Sequence, residues 1–335
     1  MERLTTLIGR KIDMKRISIV PVILIFFLFF ACGESDHGNS VSNKSADEIS
    51  DPVDDTSNGN QDDDVSPSDP SDDILTLLTQ VDTTPPNTTT KICFIHHSTG
   101  SAWIASGDGN LGAALNDNNY YVTEIDYYWD AQAEEDIGSH TDTRDWPRWF
   151  TDTIMPDVYD NSAHFDYTNE IDDPGGENEI IMFKSCYPNS EVGNSIEDEK
   201  AIYLGLLDYF AQHQDKLFIL IVPPPEIIID SAQLTRELTN WLVDYENGWL
   251  SEYPYFNVHP FDYYNVLTDP NNHHRIEGTS VVHTISSSPE DADHPNELYY
   301  YTGTNDHPTS AGHRKATEEY LLLLNAYYNL WQQYR

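Results

Sequence analysis

The chain has 335 residues, 39% of them hydrophobic and 12% aromatic, enough apolar surface for one large domain or two small ones. Fifty-seven acidic residues against seventeen basic ones leave a formal charge of -40, which repels phosphate backbones and excludes nucleic acid as a partner. Three cysteines are too few for a disulfide framework, so stability must come from burial.

At the N-terminus Lys15 and Arg16 precede an apolar run from Ile17 to Phe30, which ends in Ala31 and Cys32. This is the layout of a bacterial export signal, and the run is too short for a membrane span. A small residue followed by cysteine resembles a lipoprotein processing site. Residues 1–31 are therefore expected to be a signal segment, with Met14 as its start and Cys32 as the lipidated residue. The expected location is the bacterial cell envelope, at the outer membrane or cell surface, with membrane contact made through the lipid anchor. Between Gly33 and Thr90 there are fourteen acidic residues and one lysine, with no aliphatic pattern before Ile74 to Leu78. Residues 32–88 thus read as the lipid attachment site and an acidic, disordered, self-repelling tether. The Asp62 to Asp64 cluster lacks the glycine turn and closing glutamate of a calcium loop.

Residues 89–335 read as one domain that keeps 41 acidic and 11 basic residues from Lys91 onward. Lys91–Ile95, Glu179–Phe183, Leu217–Val222 and Phe256–Phe261 are β-rich apolar runs that stop abruptly in polar residues, as buried strands do. Helical periodicity covers Glu199–His213, Ser231–Tyr245 and Ser310–Tyr328, with Leu234, Leu238, Trp241 and Leu242 sharing one face of the second. The alternation predicts an α/β fold, a single three-layer domain with a central parallel sheet flanked by helices. Ligands bind such sheets at the carboxyl ends of the strands.

At the end of the first predicted strand stand His96, His97, Ser98, Thr99 and Gly100, which set a hydroxyl where a nucleophile would sit. Ser185, Cys186, Tyr187, Pro188 and Asn189 follow the second, and Asp306, His307 and Pro308 precede the last helix. Asn189 offers an amide donor for an oxyanion, and the proline fixes the backbone of His307. This order of serine, asparagine and His-Pro resembles the SGNH (GDSL-type) hydrolase family across most of residues 91–335. The resemblance implies an SGNH/flavodoxin-like fold and a serine esterase, with Ser98 as nucleophile, His307 as base and Asn189 in the oxyanion hole. The family's oxyanion glycine is represented by Gly109 or Gly112, of which Gly112 enters the expected site. Thr304 stands where the family places its acid, leaving Asp306, with Asp293, Asp262 or a backbone carbonyl as alternatives, to orient His307.

Trp146, Arg144 and Arg148 lie in an aromatic stretch from Tyr127 to Phe150, and His97 adjoins the serine. These four are the expected substrate-binding residues, because aromatic faces stack on sugars and arginine forks anionic groups. The expected partner is an acylated small molecule or polysaccharide, deacetylated without a cofactor or metal. Two other readings remain at this stage. One is a noncatalytic carbohydrate-binding lipoprotein on the same fold. The other is a metal-dependent hydrolase drawing on His96, His97, His273, His274, His294, His307 and His313, although no HExxH spacing is present.

Overall fold

A computed structural model describes residues 70–185, 195–225, 229–268, 275–278, 280–282 and 307–335. A short helix, α1 (Pro70–Leu77), precedes the first strand, β1 (Thr90–Ile95). Helices α2 (Thr99–Ile104) and α3 (Leu111–Asp117) lead to β2 (Tyr120–Ile125). A long excursion holding two 3₁₀ turns, α4 (Trp146–Trp149) and α5 (Met155–Tyr159) returns the chain to β3 (Ile180–Lys184). Then follow α6 (Ile196–Gln212), β4 (Leu217–Ile221), α7 (Ile229–Val243), β5 (Val258–Phe261) and α8 (Tyr263–Thr268). An antiparallel pair, β6 (Arg275–Glu277) and β7 (Ser280–Val282), comes before the long terminal helix α9 (Ser310–Tyr334).

The first five strands make one parallel sheet in the order β2-β1-β3-β4-β5. Every residue of β1, β3, β4 and β5 is buried, as both faces of a covered parallel sheet require. Register sorts the side chains into two layers. Phe94 pairs with Met182, and Lys184 with Ile221, which pairs in turn with Phe261, so Phe94, Met182, Lys184 and Phe261 share a face. There Trp103 of α2 stacks on Phe261 at 5.7 Å and Tyr320 of α9 meets both rings. On the opposite face Phe183 meets Trp146 and Phe150, while Phe150, Phe210 and Phe218 close on one another. Helices α2 and α9 thus cover one side and α4 and α6 the other, giving the three-layer α/β domain that the alternation predicts.

The predicted strands and helices are all present, with ends displaced by a few residues. The strand β2 is missing from the sequence reading because its run carries Glu124 among its apolar residues. The tether reading is corrected at its C-terminal end, since the folded unit reaches back past residue 89. Ile74 and Leu78 are buried in the core, Asn329 Nδ2 donates to the carbonyls of Asp82 and Thr84 at 2.9 Å, and Asn119 Nδ2 to that of Pro86 at 2.7 Å. The signal segment and Cys32 lie outside the described residues. Among the described residues no helix is long and apolar enough to cross a membrane.

Candidate active site

The strand order turns back between β1 and β3, the topological switch where parallel α/β sheets open a crevice at their carboxyl ends. Ser98 stands there, between the end of β1 and the start of α2. Its backbone has φ 49° and ψ -101°, a conformation that L-residues rarely adopt and that costs roughly 1–3 kcal/mol. The turn is closed by the Gly100 N–H donating to His97 O at 2.8 Å and the Ala102 N–H to Ser98 O at 3.3 Å. Gly100 allows the tight bend, because a Cβ at that position would collide with Cβ of His96. The Ser98 N–H meets no acceptor among the described residues.

The Ser98 hydroxyl is hydrogen-bonded to Nε2 of His307, 209 residues away in the chain. His307 is placed by the start of α9, where Thr309 caps the helix by accepting the Gly312 N–H at 3.3 Å. An imidazole that accepts from the serine at Nε2 carries its proton on Nδ1. The orienting candidates Asp306 and Asp293 lie outside the described residues. The carboxylate of the third candidate, Asp262, accepts from Asn265 Nδ2 at 2.9 and 3.0 Å, which holds the corner between β5 and α8.

His97 does not offer its ring to a substrate. Nε2 is bonded to the Gly138 carbonyl, Nδ1 contacts Thr141 Oγ1 at 2.9 Å, and the ring stacks on Tyr127 with centroids 3.7 Å apart. Burial pushes its pKa down to about 4, helped by the nearby charges of Lys184, His96 and His140 and opposed by the Gly138 bond. His97 therefore anchors the loop after β2. His96, on the other face, contacts Glu124 Oε2 at 3.3 Å in a fully buried pair. Burial alone would raise the Glu124 pKa, but His96 and the N–H groups of Asp166 and Phe165 outweigh it and hold the carboxyl below its ordinary value.

Lys184, also fully buried, ends β3 and donates from Nζ to Ser185 O at 3.1 Å. Its charge reaches both His97 and His313. His313, in the first turn of α9, has its pKa lowered to about 4, chiefly by burial, and its Nδ1 contacts Tyr263 OH at 3.0 Å.

The remaining predicted residues divide. Trp146 is buried and donates from Nε1 to Ser185 Oγ at 2.7 Å, so it joins the sheet to α4 and presents no open ring to a sugar. Arg148 is held by Glu134 and by Asp145 at 3.3 Å, which removes it as a free anion fork. Arg144 is exposed. Gly109 donates its N–H to Ala102 O at 3.0 Å and leaves no room for a side chain against Trp103. Gly112, in α3, packs so closely on the Tyr167 ring that a Cβ would overlap it. Asn189 lies outside the described residues.

The sequence reading missed Glu124, Gly138 and Thr141, all of which hold the strand end in place. The signal for Glu124 was an acid inside a β-rich run; Gly138 and Thr141 carry none, since they act through contacts 41 and 44 residues from His97.

Among the described residues, His96, Glu124 and Asp166 form a group that could hold a metal ion, with donor atoms within 4.8 Å of one another. The Glu124 oxygens, however, already accept the N–H groups of Phe165, Asp166 and Tyr167 at 3.0 to 3.3 Å. That donor set fits a carboxylate fastening a loop better than a cation ligand. His273, His274 and His294 lie outside the described residues.

No protein family, curated protein or solved structure matches the chain.

Proposed function

We propose that the chain is a serine esterase of the SGNH type that removes acyl groups, such as acetyl, from a carbohydrate at the cell surface. The observation that carries this reading is the hydrogen bond from Ser98, on a strained strand-to-helix turn, to Nε2 of His307. Neither a buried packing serine nor a helix-capping histidine needs that pairing, and Thr309 already caps α9.

In the proposed reaction His307 Nε2 takes the Ser98 proton as Oγ attacks the ester carbonyl. The negative charge of the tetrahedral intermediate meets the Ser98 N–H and the amide of Asn189. His307 then gives its proton to the departing alcohol, leaving an acyl-serine, and water activated by the same imidazole releases the acid. Asp306 is the candidate that keeps the proton of the resting imidazole on Nδ1.

Hydrolysis of 4-nitrophenyl acetate tests the scheme. Ser98→Ala and His307→Ala should each lower kcat by at least about 10³-fold, and the double variant should lose little more than either, because the two groups act as a unit. Asn189→Ala should lose about 10²-fold. Additive losses, or a Ser98→Ala protein that keeps its turnover, would overturn the reading.

A further inference from the structure

The expected sugar-binding tryptophan is buried, yet other aromatic side chains beside the site are not. Tyr127 and Tyr128 extend from the carboxyl end of β2, which neighbours β1, and are 44% and 80% exposed. Their rings lie 6.4 Å apart, and Tyr127 stacks on His97, the residue before Ser98. Tyr128 has φ 66°, a left-handed conformation that a large aromatic residue adopts only under strain. With most of its ring in water, burial offsets little of that strain.

The turn is nonetheless held firmly. The Tyr128 N–H donates to Ser139 Oγ at 3.1 Å, Ser139 donates to Asp136, the Trp129 N–H bonds Asp126 O at 3.2 Å, and the Gly138 N–H bonds Trp129 O at 2.9 Å. The Gly138 carbonyl in turn binds His97, so the turn and the nucleophile's strand are one connected unit. A strained, well-held backbone thus displays an aromatic ring beside the candidate active site.

We propose that Tyr127 and Tyr128 are a stacking platform for a neutral pyranose ring, the sugar that carries the ester cleaved at Ser98. Aromatic faces favour the axial C–H face of a sugar, and the phenol groups supply polar edges. The charge of the segment selects among sugars. Glu134 is paired with Arg148, but Asp126, Asp130, Glu135 and Asp136 belong to the same loop and leave it net negative, so a uronic acid or sulfated sugar is repelled while neutral hydroxyls find acceptors. The proposal relies on the esterase reading for the reaction, but on the tyrosines alone for binding.

The test is calorimetric titration of the protein carrying Ser98→Ala, which leaves the ester intact, with a partially acetylated manno-oligosaccharide. Adding Tyr128→Ala should weaken binding at least about 10-fold, whereas Tyr128→Trp should retain it and Tyr334→Ala, at an exposed tyrosine near the far end of α9, should leave it unchanged. Tyr128→Gly should raise the melting temperature by relieving the positive φ and still weaken binding, which separates recognition from folding. Oligogalacturonate should not compete. Binding that is absent, or indifferent to Tyr128→Ala, or equally strong for oligogalacturonate, overturns the platform. Sugar binding through Tyr128 in a wild-type protein that hydrolyses no ester would keep the platform and remove the esterase, so the two failures are distinguishable.

Discussion

Ser98 joins a proposed chemical role to a backbone cost, and the two can be separated by substitution. Ser98→Ala and Ser98→Gly both delete the hydroxyl and its bond to His307, but only glycine relieves φ 49°. Ser98→Gly should therefore be more stable than Ser98→Ala by about 1 kcal/mol in urea unfolding, with neither protein active. Equal stabilities would mean that the turn is not strained. Ser98 and His307, which the fold brings into hydrogen-bond contact, stand out in the sequence because both lie at ends of elements, where periodicity stops and a polar residue becomes conspicuous. His97 was legible as a neighbour but not in its role. Only the fold shows that Gly138 and Thr141 engage both ring nitrogens. Trp146 was misjudged for a related reason: an aromatic cluster reads the same in sequence whether its rings face solvent or the sheet.

At the scale of elements, β1, β3, β4 and β5 were readable because strands buried on both faces form continuous apolar runs. The strand β2 was not, because Glu124 interrupts its run while satisfying the loop at 165–167 and His96. Helix α1 was hidden by the acidic composition around it, although Ile74 and Leu78 reach the core. That contact has a measurable consequence. Each of these side chains contributes roughly 1.5–3 kcal/mol when buried, so a chain shortened to begin at Asn87 should unfold at least about 3 kcal/mol more easily than one beginning at Ser68. Identical urea midpoints would show α1 to be dispensable.

Across the whole molecule, burial holds several histidines neutral. His97 and His313 are lowered to about 4 and His259 to about 3, in each case chiefly by burial. An unfolded histidine titrates near 6.5, so below that pH the unfolded chain binds protons that the folded one refuses. The stability these residues contribute is complete above about pH 6.5 and is lost as pH falls toward 4, at about 1.4 kcal/mol per pH unit for each histidine. Urea midpoints should accordingly decline from pH 7 to pH 5, and a flat profile would contradict neutral burial. The strand order that puts β1 beside β3 could not be read from the chain, since alternation fixes the layers but not the sequence of strands across the sheet. Yet that order puts Ser98 at the switch between β1 and β3, and the segment that enters α9 brings His307 against it.

The most direct measurement is the intact mass of the protein lacking its first 62 residues after exposure to a fluorophosphonate, beside the Ser98→Ala and His307→Ala variants. An activated serine should give one adduct, absent from both variants. No adduct on the unsubstituted protein, or one that persists in Ser98→Ala, would contradict the assignment of Ser98 as a nucleophile activated by His307.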